Sequence, residues 1–115
     1  MYPLPLTKAT PVRTRMIEAY RVIILTDCQG IGVVQYAHAA LVYSADNPRP
    51  IFAVASEVNR MAQAFGGGSH FLCVYDDKHY NHGSSDDWAD LEKFTQEALR
   101  LVSEHFFNLK NQDYL

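Results

Sequence analysis

The chain reads as one three-layer α/β domain, a small and mostly parallel sheet with flanking helices. Three observations predict this. The run Val22-Ile23-Ile24-Leu25 is continuously apolar and rich in β-branched residues, the pattern of a strand buried on both faces. A glycine-containing turn, Gly30-Ile31-Gly32, leads into residues 33–44, which are apolar almost all round. Strand-like and helix-like stretches then alternate, an order that favours parallel pairs joined by right-handed crossovers.

Taken in order, residues 1–12 carry Pro3, Pro5 and Pro11, which lack amide donors, so they are expected to form an extended N-terminal arm. The α/β domain then occupies residues 13–115. Its first strand is predicted at 20–26, its turn at 27–32, and its first helix at 33–44, ended by Asp46-Asn47-Pro48 and Pro50. Residues 50–65 show both helical and strand spacing; the reading adopted is a strand at 51–55 and a helix over 57–65. Ser56 would cap that helix, Asn59 would sit in its first turn, and Gly66-Gly67-Gly68 would end it. A third strand is expected at 70–75, followed by a polar loop to Asp87. Ser84 and Ser85 ahead of Asp86 and Asp87 make a cap with acids in the first turn, opening a long helix to about Phe107. Its apolar stripe is Trp88, Leu91, Phe94, Ala98, Leu101 and Val102, with Glu92, Glu97, Arg100 and Glu104 solvated. Three strands make a thin sheet, so a further strand or a dimer contact is expected to complete it.

Composition limits the function classes. With 115 residues the chain fits one domain, and 48% hydrophobic with 20% charged residues is ordinary globular usage. A net charge of −3 argues against a broad cationic face for nucleic acid. No apolar run is long enough to span a membrane, and residues 1–6 lack the cationic start of a secretory signal. Two well-separated cysteines, Cys28 and Cys73, fit reduced thiols and a cytoplasmic location.

Several side-chain groups invite chemistry. Gln35 and His38, three apart on the expected helix, would share one side beside a strand end, where open α/β folds hold ligands. The bland alternative is a buried polar pair satisfied by backbone. Gly30-x-Gly32-x-x-Gln35 approaches a dinucleotide fingerprint with Glu57 as ribose acid, against simple turn chemistry. His79 and His82 with Asp76 or Asp77 have metal-ligand chemistry but sit in a loop without fixed spacing, so no metal is assigned. Cys28 near a helix N-terminus, with His38 or His79, is a possible nucleophile, whereas Cys73 inside a strand reads as an inert core thiol.

Thr26-Asp27, Gly30-Ile31-Gly32 and Gln35-Tyr36-Ala37-His38-Ala39-Ala40, followed by Phe71-Leu72-Cys73-Val74-Tyr75-Asp76, together resemble the type 2 peptidyl-tRNA hydrolase family over roughly residues 20–80. The resemblance implies that family's α/β fold, a homodimer, tRNA as partner, no metal or other cofactor, and hydrolysis of the ester linking a peptide to the 3′ ribose of tRNA. It also implies catalytic roles for Asp76 as water-activating base and Gln35 as positioning residue. Asp27, Gly30, Gly32, His38, Lys78 and His79 are then the expected substrate-binding residues. The family's lysine ahead of the glutamine has no match, since residues 27–35 hold no cation. Without that ammonium a developing oxyanion loses its charge stabilisation. The alternative is therefore a non-catalytic binding or regulatory module.

Overall fold

The computed structural model describes residues 4–107 and shows a six-stranded, wholly antiparallel sheet with one long C-terminal helix. The strands are β1 (Lys8–Ile17), β2 (Tyr20–Gln29), β3 (Gln35–Tyr43), β4 (Phe52–Val58), β5 (His70–Tyr75) and β6 (His79–Ser85), paired in sequence order. A four-residue helix α1 (Ala62–Phe65) lies between β4 and β5. A 3-10 turn (Asp86–Ala89) then leads into α2 (Leu91–Phe107). This corrects the expected three-layer, mostly parallel architecture: no crossover helix exists among the described residues, and the family fold implied by the resemblance is not the one observed.

The physical reason is loop length. Strands joined by a few residues can only return antiparallel. Between β1 and β2 stand only Glu18 and Ala19, with Glu18 at φ 54°; β5 and β6 are separated by residues 76–78. β2 and β3 are joined by residues 30–34, closed by Gly30 N–H donating to Val34 C=O, with Gly32 at φ 68°.

The expected helix at 33–44 is therefore a turn followed by β3. Its period of two was hidden because both faces of the strand are buried, which leaves few polar residues to mark the alternation. Register places Ile24 opposite Ala40 and Leu25 opposite Ala39. The expected helix at 57–65 shrinks to α1, because β4 continues to Val58. Ser56 is no cap; it is fully buried in β4, where its Oγ accepts from His38 N–H and donates to His38 C=O. Asn59 makes the turn instead, accepting from Met61 N–H and donating to Gly68 C=O. Gly68 is required there, since a Cβ would collide with the backbone of Ser85. The cap expected near Ser85 exists but serves the 3-10 turn, where its Oγ accepts from Asp87 N–H. Asp90 Oδ1, accepting from Lys93 N–H, starts α2. The proline-bearing segment expected as an arm contributes residues 8–12 to β1, an edge strand whose register shifts near Pro11. Residues 1–3 and 108–115 lie outside the described residues.

Both faces of the sheet are buried at their centre. One packs Val22, Ile24, Val42, Val54, Leu72 and Val74 against Phe94, Ala98 and Val102 of α2. The other gathers Leu25, Cys28, Tyr36, Ala39, Ala55, Cys73 and Tyr75, with Leu4, Leu6, Ile23, Leu41 and Phe71 packed against them. Asp27 at φ 51° and the register shift between Tyr36 and Ala39 break the alternation there. These irregularities let Cys28 and Tyr36 join the same side as Leu25 and Ala39.

Candidate functional site

The antiparallel topology gives the sheet two ends. At one end lie the 30–34 and 59–69 connections; at the other, the turn after β5. Gln35 belongs to the first end. It stands beside Tyr36, which pairs with Glu57, which pairs with Phe71, so Gln35 is level with Val58 and His70. Asp76 follows β5 at the second end, six residues beyond His70. At about 3.3 Å per residue the separation along the strand is roughly 20 Å. The two residues expected to act on one bond therefore do not converge.

Asp76 is occupied locally. Its carboxylate accepts from Lys78 N–H and from Tyr80 O–H at 2.8 and 3.1 Å. Partial burial pushes its pKa up, but these hydrogen bonds outweigh that and hold it below the ordinary carboxylate value. A depressed pKa makes it a weaker base. Lys78 is exposed in the same turn, and His79 stacks on Tyr75 with ring centres 4.5 Å apart. Neither approaches the Gln35 end. His38 is a buried tie between the sheet and the 3-10 turn ahead of α2: Nδ1 lies 3.0 Å from Thr26 Oγ1 and Nε2 2.8 Å from Ala89 C=O. Its two ring nitrogens are thus engaged in structure.

Four of the sequence-selected residues do share the first end. Asp27 and Gln35 line one cleft of about 410 Å³ with Lys8, Cys28, Tyr36 and His70, and Gly30 and Gly32 shape the adjoining loop. His70 has its Nδ1 2.7 Å from Ser69 Oγ. Burial, aided by the nearby His38, keeps its pKa below the ordinary histidine value against the pull of Asp86. Across Gln35 lies a second groove of about 300 Å³, walled by Val33, Val34, Val58, Met61 and Phe71, with Glu57, Asn59 and Arg60 at its margin. Gln35 forms the ridge between the two, exposed and with no side-chain hydrogen bond to the described residues.

Sequence reasoning missed the apolar half of this end. Of seven exposed large hydrophobics among the described residues, Ile31, Val33, Met61 and Phe65 sit on these two connections, 58–78% exposed. Clustered exposed apolar side chains mark interaction surfaces, whereas scattered ones do not. The available signal was Ile31 and Val33 flanking Gly32 in a turn, where polar residues are usual. A buried helix over 33–44 absorbs Val33 into a core and leaves Ile31 in the turn ahead of it.

The arrangement supports binding more readily than covalent chemistry. Burial pushes the Cys28 thiol up to about 11, with Asp27 adding to it, so it is protonated at neutral pH. Burial and then Glu57 raise Cys73 to about 12, against a lowering hydrogen bond from Tyr75. No helix begins at Gly30–Gly32, so the dipole that a dinucleotide pyrophosphate would use is missing. Among the described residues, no group of three or more His, Cys, Asp and Glu is placed to hold a metal. No helix among them is long and apolar enough to cross a membrane. No family model, curated protein or solved structure matches the chain.

Proposed function

We propose that the protein is a non-catalytic binding module whose ligand is a short peptide segment of a partner protein, held across Gln35 at the 30–34 and 59–69 end of the sheet. The carrying observation is one apolar groove walled by exposed Val33 and Met61, with exposed Ile31 and Phe65 on the same two connections. At about 300 Å³ the groove is at the small end of the roughly 300–1,000 Å³ used for drug-sized ligands. That size suits one or two apolar side chains. Gln35 offers both a donor and an acceptor beside it, and Glu57 with Arg60 offers both charges, a rim matched to peptide backbone and mixed side chains rather than to phosphate. Ester hydrolysis would need Gln35 and Asp76 at the same bond, and their separation favours the binding alternative. Two unpaired, buried thiols support a reducing, cytoplasmic setting.

Panning a phage-displayed random peptide library on the full chain tests the reading, with Val33→Asp and Met61→Asp proteins as counter-targets. Enriched peptides should carry an apolar anchor, bind each variant at least about tenfold more weakly, and shift the backbone amides of residues 33–35 and 58–61 in NMR spectra. Gln35→Ala should weaken them about fivefold, the worth of one neutral hydrogen bond. Failure to enrich, or peptides indifferent to both aspartates, would remove the proposal.

A further inference from the structure

The two outer strands of the sheet are defended very differently. β1 carries Lys8, Pro11, Arg13 and Arg15, and its register shifts twice. Charges, proline and bulges on an edge are the usual means of preventing another strand from adding to it. β6, His79-Tyr80-Asn81-His82-Gly83-Ser84-Ser85, has no proline and no Lys, Arg, Asp or Glu, and it pairs on one side only, with β5. Residues 79–83 are all exposed. Its own protection is a single bulge: between Asn81 and Ser84 it carries one residue more than β5 does between Phe71 and Cys73, with Gly83 at φ 103° and its N–H donated to Asn81 Oδ1 at 2.6 Å.

Beside that edge a cleft reaches the core. It runs between β6 and α2, about 290 Å³ in volume, and is lined by the core residues Phe52, Val74 and Leu101 and by Tyr80, His82, His105 and Glu104, the last paired with Arg100. A strand edge without charge or proline and a cleft reaching down to the core thus share a border.

We propose that a second copy of this chain occupies this border. The two β6 strands pair antiparallel about a two-fold axis, joining two six-stranded sheets into one continuous sheet. Tyr80 and His82 of each copy then lie along the other's cleft. A second copy fits because an isologous contact sets a surface against itself, and a strand without carboxylates or ammonium groups brings no fixed like charges together. A highly charged partner strand would find no complement in these residues. An axis near Asn81 sets Tyr80 opposite the partner's His82. That repeats between chains the ring contact the two residues make within one, with centroids 5.4 Å apart.

Sedimentation velocity on the full chain, from about 5 to 200 µM, is the first measurement. The mass should rise with concentration from 13.0 kDa toward twice that value. Asn81→Lys and, separately, His82→Glu should each raise the dissociation constant at least tenfold, whereas Thr10→Lys on β1 should leave it unchanged. Far-UV circular dichroism establishes that each variant is folded. Hydrogen exchange of the wild-type protein gives an answer independent of any substitution: β6 amides should become more protected as concentration rises. A monomer throughout the range, a dimer unaffected by both β6 substitutions, or β6 exchange independent of concentration would each overturn the proposal. The surface is separate from the peptide groove, so either proposal can fail without the other.

Discussion

The sheet buries both of its faces, but by opposite means. Under α2 the buried strand residues are bulky, chiefly Val22, Ile24, Val42, Val54, Leu72 and Val74, and they meet Phe94, Leu101 and Val102 of the helix. On the other face the most buried positions are small: Ala39, Ala53 and Ala55 are fully inaccessible, and Cys73 nearly so. No helix covers this face among the described residues. Large neighbours fold over the small ones instead, from Ile23, Leu41 and Phe71 around them and from Leu4 and Leu6 ahead of β1. Tyr36 and Tyr75 are hydrogen-bonded to each other over the same floor. Bulk on one face is filler for a helix, whereas its absence on the other leaves room for side chains to lie flat. Burial alone therefore does not report how a strand face is covered.

Substitution should separate the two designs. Phe94 is fully buried, with its ring 5.5 Å from that of His38, so Phe94→Ala leaves a cavity the helix cannot collapse into without moving. Urea unfolding should show a loss of about 3–5 kcal/mol, the usual cost of removing a core phenylalanine. A loss below about 1 kcal/mol would mean α2 is not the principal cover of that face. On the opposite face the damaging change is an addition. Ala55→Leu should cost about 1–3 kcal/mol through overpacking, and Ala39→Leu should behave alike. If either leucine leaves the unfolding midpoint unchanged or raises it, the alanine floor is not closely covered, and the account of this face fails.

This contrast explains which parts of the fold were legible in sequence. β5 occupies His70–Tyr75 and β2 starts at Tyr20, as expected from their β-branched and aromatic runs. The run of α2 as far as Phe107, the last described residue, follows from its apolar stripe, because a helix with one solvated face shows its period clearly. β3 was illegible for the converse reason. With Tyr36, Ala39, Ala40 and Val42 buried on both sides, its alternation leaves almost no polar mark, and three alanines favour helix by propensity. A helix in place of β3 implies parallel strands and draws Gln35 and Asp76 to one rim. In an antiparallel meander the starts of β3 and β5 share an end and the finish of β5 lies at the other. Asp27 and Gln35, the polar half of the candidate site, follow in sequence from the resemblance and from an expected helix face, and it is the β2–β3 hairpin that sets them on one cleft. The apolar half needed the 59–69 connection brought alongside, which only the topology supplies.

The gentlest test of the comparison uses the thiols, which exist only on the alanine-floored face. Burial raises Cys28 from 9.0 to about 11 and Cys73 from 9.0 to about 12. Both thiols are neutral when protonated. Above pH 9.0 the unfolded chain releases these protons while the folded chain keeps them, so the unfolded state binds fewer protons and stability falls with rising pH. The associated stability is complete below 9.0 and is lost as pH climbs through about 11 and then about 12. Urea midpoints measured between pH 8 and pH 11 should therefore decline more steeply for the wild type than for a Cys28→Ala, Cys73→Ala protein, where tyrosines with raised pKa, Tyr75 foremost, still contribute. The folded wild type should also resist iodoacetamide at neutral pH and react promptly in urea. Equal slopes in the two proteins, or rapid alkylation without denaturant, would show that this face opens to water. The small residues would then be a gap in the packing and not a closed floor.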